Sequence, residues 1–225
     1  DLEWDPKEDF TTVMAVVDNQ APHPVVFTWK QDLMSEHTKW IDRYGGYELR
    51  LYLNEESMHE GFLQYLDERD PDILVAHAGN WADIPHLDTG YDESAQPIKG
   101  RIVFDSAARG ITGSGFEAIW QKSGRGQMSS RSLNWVAQSL DLGEKLTDRI
   151  EGMTVHNGWY DYFDDFVDYC LVDTTLLRDI DEMLHAVEFH VAMMKLCGVG
   201  FRSTYKVTRY FRGLIGRRTD LKAPS

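Results

Sequence analysis

Asp1-Leu2-Glu3-Trp4, Thr11-Thr12-Val13-Met14-Ala15-Val16-Val17 and Pro24-Val25-Val26-Phe27-Thr28-Trp29 are the stretches on which the fold turns. The second and third are dense in β-branched and aromatic residues, and Asp18-Asn19-Gln20 between them is a hairpin signature. With the opening residues they predict three adjacent antiparallel strands. Asp1 and Glu3 then have strand spacing, so both carboxylates point to one face. Two acids side by side repel each other, and a cation would relieve that repulsion.

Downstream the pattern changes to alternating helix and strand. Glu48 to Leu53 reads as a further short strand, and Asn54 as the cap of a helix whose Met58, Phe62, Leu63 and Leu66 share a face. Asp72-Ile73-Leu74-Val75-Ala76-His77 and Arg101-Ile102-Val103-Phe104-Asp105 have the look of buried parallel strands. A helical turn is expected near Asn80, limited by Pro85. Gly110 to Ser130, rich in Gly and Ser, reads as a loop or mobile hairpin. Ser132 to Leu140 returns to helical spacing. Asp164 to Cys197 predicts one long helix or two abutting ones, and a basic helix follows the Gly198-Val199-Gly200 break. The expected class is α/β: a mixed sheet, three antiparallel strands followed by parallel ones, flanked by helices.

The 225 residues can bury a substantial core, and no stretch approaches the roughly 20 apolar residues of a membrane span. Cys170 and Cys197 lack the spacing of a metal knuckle, so free thiols in a reducing, cytoplasmic setting are expected. The net charge of −14 argues against a general nucleic-acid binder, but it is unevenly placed. From Phe201 to Ser225, Arg202, Lys206, Arg209, Arg212, Arg217, Arg218 and Lys222 face only Asp220, a tail of +6 against −20 elsewhere. Arg202, Lys206, Arg209 and Arg212 recur at three- and four-residue spacing and could form one helical stripe facing a phosphate backbone. The first residue is not Met, so the chain reads as a piece of a longer polypeptide.

Two more acids complete a constellation. Asp83 stands in Asn80-Trp81-Ala82-Asp83-Ile84-Pro85-His86-Leu87, where capping a helix is the alternative role. Asp173 stands in Tyr169-Cys170-Leu171-Val172-Asp173, so the phenol and the carboxylate are neighbours on one helix face. Two divalent cations about 4 Å apart need several carboxylates converging from different segments.

Asp1-x-Glu3, Asp83 before Pro85, and Tyr169-x-x-x-Asp173 resemble the three exonuclease motifs of the DEDDy 3′→5′ exonucleases. The similarity is greatest to the proofreading domain of family B DNA polymerases. It extends, in order, over Asp70-Pro71-Asp72-Ile73-Leu74-Val75, Gly100 to Asp105, Ser132 to Ala137, and the helical run after Asp173. The resemblance implies an RNase H-like fold over residues 1–198, with 199–225 a basic helical extension. It implies two Mg²⁺ or Mn²⁺ ions on Asp1, Glu3, Asp83 and Asp173, and a water positioned by Tyr169. The substrate would be a single-stranded or frayed DNA 3′ end, and the natural partner the remainder of a polymerase. A histidine subtype would need His at the position of Asp168. Ala78 replaces the family's usual Asn, with Asn80 nearby, and Ala82 replaces the usual aromatic, with Trp81 one place earlier.

Trp4 and Trp81 could stack on terminal bases, with Asn80 beside them. Core packing is the ordinary role of tryptophan. His77 and Lys145 are weighed as phosphate contacts against structural and surface roles. A DEDDy exoribonuclease, or a silent RNase H-like module that binds nucleic acid or organises an assembly, remains the alternative.

Overall fold

A computed structural model describes residues 1–79, 82–87, 98, 100–107, 115–146 and 152–218. Strands β1 (Leu2–Asp5), β2 (Phe10–Val16) and β3 (Val25–Trp29) form the expected antiparallel meander. At the β2–β3 connection the Asp18 carboxylate accepts the Gln20 amide at 2.7 Å, a turn closed by its own side chain. The register shifts between Glu3 and Trp4, which bends the strand that carries the first acids.

Two more strands, β4 (His37–Ile41) and β5 (Tyr47–Tyr52), complete a five-stranded sheet of order β1-β2-β3-β5-β4. Strand β5 lies parallel to β3, and β4 closes the edge antiparallel to β5. Sequence reading missed β4 because nearly all of it faces solvent, so no apolar alternation marks it. The Trp40 ring lies over Gly46, at φ 90°, where any Cβ would collide with the indole.

Helix α1 (Glu55–Arg69) starts at a reciprocal cap: Asn54 Oδ1 accepts the Ser57 amide at 2.8 Å, and Ser57 Oγ accepts the Asn54 amide. Its buried face is Met58, Phe62, Tyr65 and Leu66; Tyr65 takes the place expected for Leu63, which is half-buried. Phe62 and Tyr65 both meet Phe27 edge-on at 5.5 Å.

Strands β6 (Ile73–Ala76) and β7 (Ile102–Asp105) are parallel as expected, but they pair with each other in a separate two-stranded sheet. The single mixed sheet is therefore corrected to a five-stranded mixed sheet and a parallel pair. Apolar periodicity identifies a strand but says nothing of its non-local partner. The Gly110–Ser130 loop also needs correction, because α2 (Phe116–Lys122) lies within it. Phe116, Ile119 and Trp120 have helical spacing and are buried, a signal masked by the surrounding Gly and Ser.

Helices α3 (Leu133–Ser139), α4 (Val155–Asp161), α5 (Phe163–Leu184) and α6 (Ala186–Cys197) follow. The expected long helical run divides at His185, whose φ of 54° is left-handed. A 3-10 turn, Phe201–Tyr205, leads into α7 (Val207–Arg218).

Two cores result. One joins the five-stranded sheet to α1, Trp159 of α4 and the Phe166–Leu171 portion of α5. The other gathers Phe104, α2, α3, the Leu176–Leu184 portion of α5, and Phe201. Helix α5 is shared, and Tyr169 to Asp173 lie where it passes from one core to the other. The 3-10 turn packs into the second core, where Phe201 meets Phe104 edge-on at 6.3 Å, and α7 packs on α6, where a Cβ on Gly213 would stand 2.6 Å from the Cys197 carbonyl. Among the described residues no helix is long and apolar enough to cross a membrane.

Candidate active site

Strand β1 delivers the first two acids. Its backbone is tied into the sheet by Thr12 Oγ1, which donates to the Glu3 carbonyl at 2.7 Å, and by the Ala15 amide donating to the Asp1 carbonyl at 2.9 Å. Burial, reinforced by the charges of Asp173 and Asp83, lifts the Glu3 carboxyl from 4.5 to about 7. Glu3 therefore feels two of the other expected acids, which are far from it in sequence.

Asp83 heads the 3-10 turn Ile84–His86 but makes no capping bond, so the capping alternative fails. Its Oδ2 is buried without a hydrogen-bond partner among the described residues. Burial, with Asp105 adding to it, raises this carboxyl above the ordinary range. The loop that presents it is held by Asp105, whose Oδ1 accepts the Ala78 amide at 3.0 Å and the Ala107 amide at 2.9 Å. Ala78 has a φ of 68°, a left-handed backbone that Asn or Gly adopts more readily. A Cβ on Gly79 would stand 3.7 Å from Asp83 Oδ2 and collide with Ala76.

Tyr169 and Asp173 lie one turn apart on α5, and Lys145 joins them. Its ammonium donates to the Tyr169 hydroxyl at 3.1 Å and forms an ion pair with Asp173 Oδ2. Asp173 Oδ1 is buried without a partner among the described residues. Burial raises the Asp173 carboxyl despite the attraction of Lys145. Burial and the Asp173 charge push the phenol up to about 12, so it stays protonated near neutrality. Burial disfavours the charged form of Lys145, but the pull of Asp173 outweighs it and raises the ammonium. The Lys145 amide donates to Asn134 Oδ1 at 2.9 Å, which ties its loop to α3. Lys145 is thus no surface lysine. Its spacing in Gly143-Glu144-Lys145 held no signal, because its partners lie 24 and 28 residues away.

His77 is a structural histidine with a neighbour of interest: Nδ1 lies 2.8 Å from Ser106 Oγ, and burial and Lys145 depress it to about 4. Asp168 points away from the acids; its Oδ1 accepts the Tyr47 hydroxyl at 2.9 Å and pairs with Arg43 at 3.3 Å. That bond fixes the rotation of α5 one residue before Tyr169. Trp4 stacks on His86 with ring centroids 4.1 Å apart, so its indole flanks the turn that begins at Asp83. Asn80 and Trp81 lie outside the described residues. Arg202, Lys206, Arg209 and Arg212 do not form one helical stripe: Arg202 is on the 3-10 turn, Lys206 follows it, and only Arg209 and Arg212 are on α7.

The donor set suits a hard divalent cation, being carboxylate oxygens from three segments, two of them buried and orphaned. One group of three ligand atoms close enough to share an ion is found among the described residues, and it leaves out Asp83 and Asp173. It is Asp1, Glu3 and Cys170, with one ligand atom of each within 4.8 Å of the others. Cys170 reads in sequence as part of the apolar stripe of α5, and that is why it was passed over. No protein-family model matches the chain, and no curated protein matches it significantly.

Proposed function

We propose that this chain is a metal-dependent 3′→5′ exodeoxyribonuclease domain with an RNase H-like fold, the proofreading module of a family B DNA polymerase. The observation that carries the reading is a pair of buried carboxylate oxygens, Asp83 Oδ2 and Asp173 Oδ1, without a hydrogen-bond partner among the described residues, whose charges both raise the Glu3 carboxyl. Acids drawn from a strand, a turn and a helix repel one another, and a bound cation would relieve that repulsion.

Asp1, Glu3, Asp83 and Asp173 would hold Mg²⁺ or Mn²⁺, which would neutralise charge at the phosphate and ease the loss of a proton from the attacking water. The chain's own residues do the rest. Glu3 gives up its proton to become a ligand. The Tyr169 hydroxyl, held protonated, orients the attacking water toward phosphorus. Lys145 opposes the rise that burial imposes on the Asp173 carboxyl and holds the phenol oxygen in place by its hydrogen bond. The Trp4–His86 pair offers an aromatic wall to the terminal base, which suits strands of any sequence. The product is a nucleoside 5′-monophosphate.

The test is a 5′-labelled single strand incubated with the chain and Mg²⁺ or Mn²⁺, as DNA and as RNA. Stepwise shortening of DNA from its 3′ end supports the proposal. Shortening of RNA alone assigns an exoribonuclease, and binding without shortening in either metal assigns a silent module.

A further inference from the structure

Cys170 is fully buried on α5, which packs against β2, and its thiol donates to Asp1 Oδ2 across 3.5 Å. One oxygen of Glu3 lies within 4.8 Å of both atoms used by Asp1 and Cys170. A tetrahedral cation with a sulfur ligand at ~2.3 Å and an oxygen at ~2.0 Å sets those two atoms about 3.5 Å apart. The thiol and Asp1 therefore already have the spacing of one edge of such a polyhedron. A second observation points to a cation rather than to a packed thiol. Asp173, three residues further along α5, is only 3% exposed; Lys145 pairs with its Oδ2, its Oδ1 has no partner among the described residues, and its charge acts on both Glu3 and Cys170.

We propose that Asp1, Glu3 and Cys170 form a mixed thiolate–carboxylate site for a thiophilic divalent cation, Zn²⁺ or Cd²⁺, which enters the acidic centre in competition with Mg²⁺ or Mn²⁺. The proposal rests on the carboxylate-centre reading in one respect: Asp1 and Glu3 serve both kinds of ion. Mg²⁺ takes oxygen ligands and ignores sulfur, whereas a thiolate adds selectivity for softer ions. On loading, the Cys170 S–H bond breaks, a sulfur–metal bond forms, and the proton passes to buffer. No atom changes oxidation state. The consequence is regulatory: a thiophilic ion acts as a brake by occupying ligands that the hard ions need. Cys197 belongs to no such group among the described residues.

The test is a Cd²⁺ titration of the full chain, followed by the ultraviolet charge-transfer band of a cadmium–thiolate bond. The expected result is a band that saturates at one equivalent, survives Cys197→Ser, weakens in Glu3→Gln and is displaced by excess Mn²⁺. Cys170→Ser should abolish it; Cys170→Ala serves if the serine variant does not fold by circular dichroism. A wild-type chain without the band, a band that persists without Cys170, or one indifferent to Mn²⁺ overturns the proposal. The band together with no hydrolysis of DNA would refute the nuclease reading and support this site. Hydrolysis without the band would do the reverse.

Discussion

Glu3→Gln should stabilise the protein near neutral pH, although it removes a residue from the proposed centre. The folded chain raises this carboxyl from 4.5 to about 7, because burial and then Asp173 and Asp83 disfavour its charge. For an acid raised in the fold, stability is fully present below the unfolded value and is lost as pH climbs through the folded one. The window here is 4.5 to about 7. At ~1.4 kcal/mol per tenfold, ionisation of Glu3 costs the fold up to about 3 kcal/mol. Glutamine keeps the shape and never ionises. In chelator, urea unfolding should give the two proteins similar stabilities at about pH 4.5 and favour the variant by up to ~3 kcal/mol at about pH 8. Millimolar Mn²⁺ should invert the order, since a bound cation favours the ionised carboxylate. A difference that does not change with pH, or a variant less stable than wild type at the alkaline end, would refute the reasoning.

Tyr169→Phe keeps the ring and removes only the hydroxyl that meets Lys145, so hydrolysis should fall by about 10- to 1,000-fold, measured as single-turnover release of nucleotide. Asp173→Ala, by contrast, should cost several orders of magnitude in the same assay, because a ligand is lost. Asp105→Ala strips the acceptor from the Ala78 and Ala107 amides; at roughly 1–3 kcal/mol per orphaned group, urea melts should show a loss of about 2–6 kcal/mol. Arg209 and Arg212, the two that share α7, changed together to Gln should weaken single-strand binding and flatten its salt dependence by about 0.7 per lost phosphate contact, with the rate at saturating DNA unchanged.

The parts legible in sequence are those whose signal is local. β2, β3 and α1 announce themselves by apolar period and by Asp18 and Asn54, which close a turn and cap a helix with their own side chains. The break in the α5–α6 run at His185 carries no such mark, and so the sequence left one helix or two open. What could not be read is non-local. Nothing in Ile73–Ala76 states that its ladder partner is Ile102–Asp105 and not β1. Nor does Gly143-Glu144-Lys145 announce an ion pair with Asp173. The candidate site divides in the same way: Asp1, Glu3, Asp83, Tyr169 and Asp173 were named from their resemblance to the exonuclease motifs, whereas Lys145, Asp105 and Cys170 come beside them only through packing.

The most direct test of the central claim is hydrolysis of a 5′-labelled single DNA strand in excess chelator, then with Mn²⁺ restored, by the wild-type chain and by Asp83→Ala. The account predicts no shortening in chelator, stepwise shortening from the 3′ end once Mn²⁺ returns, and none by Asp83→Ala in either condition. Undiminished shortening in excess chelator, or an Asp83→Ala variant as fast as wild type, would contradict it.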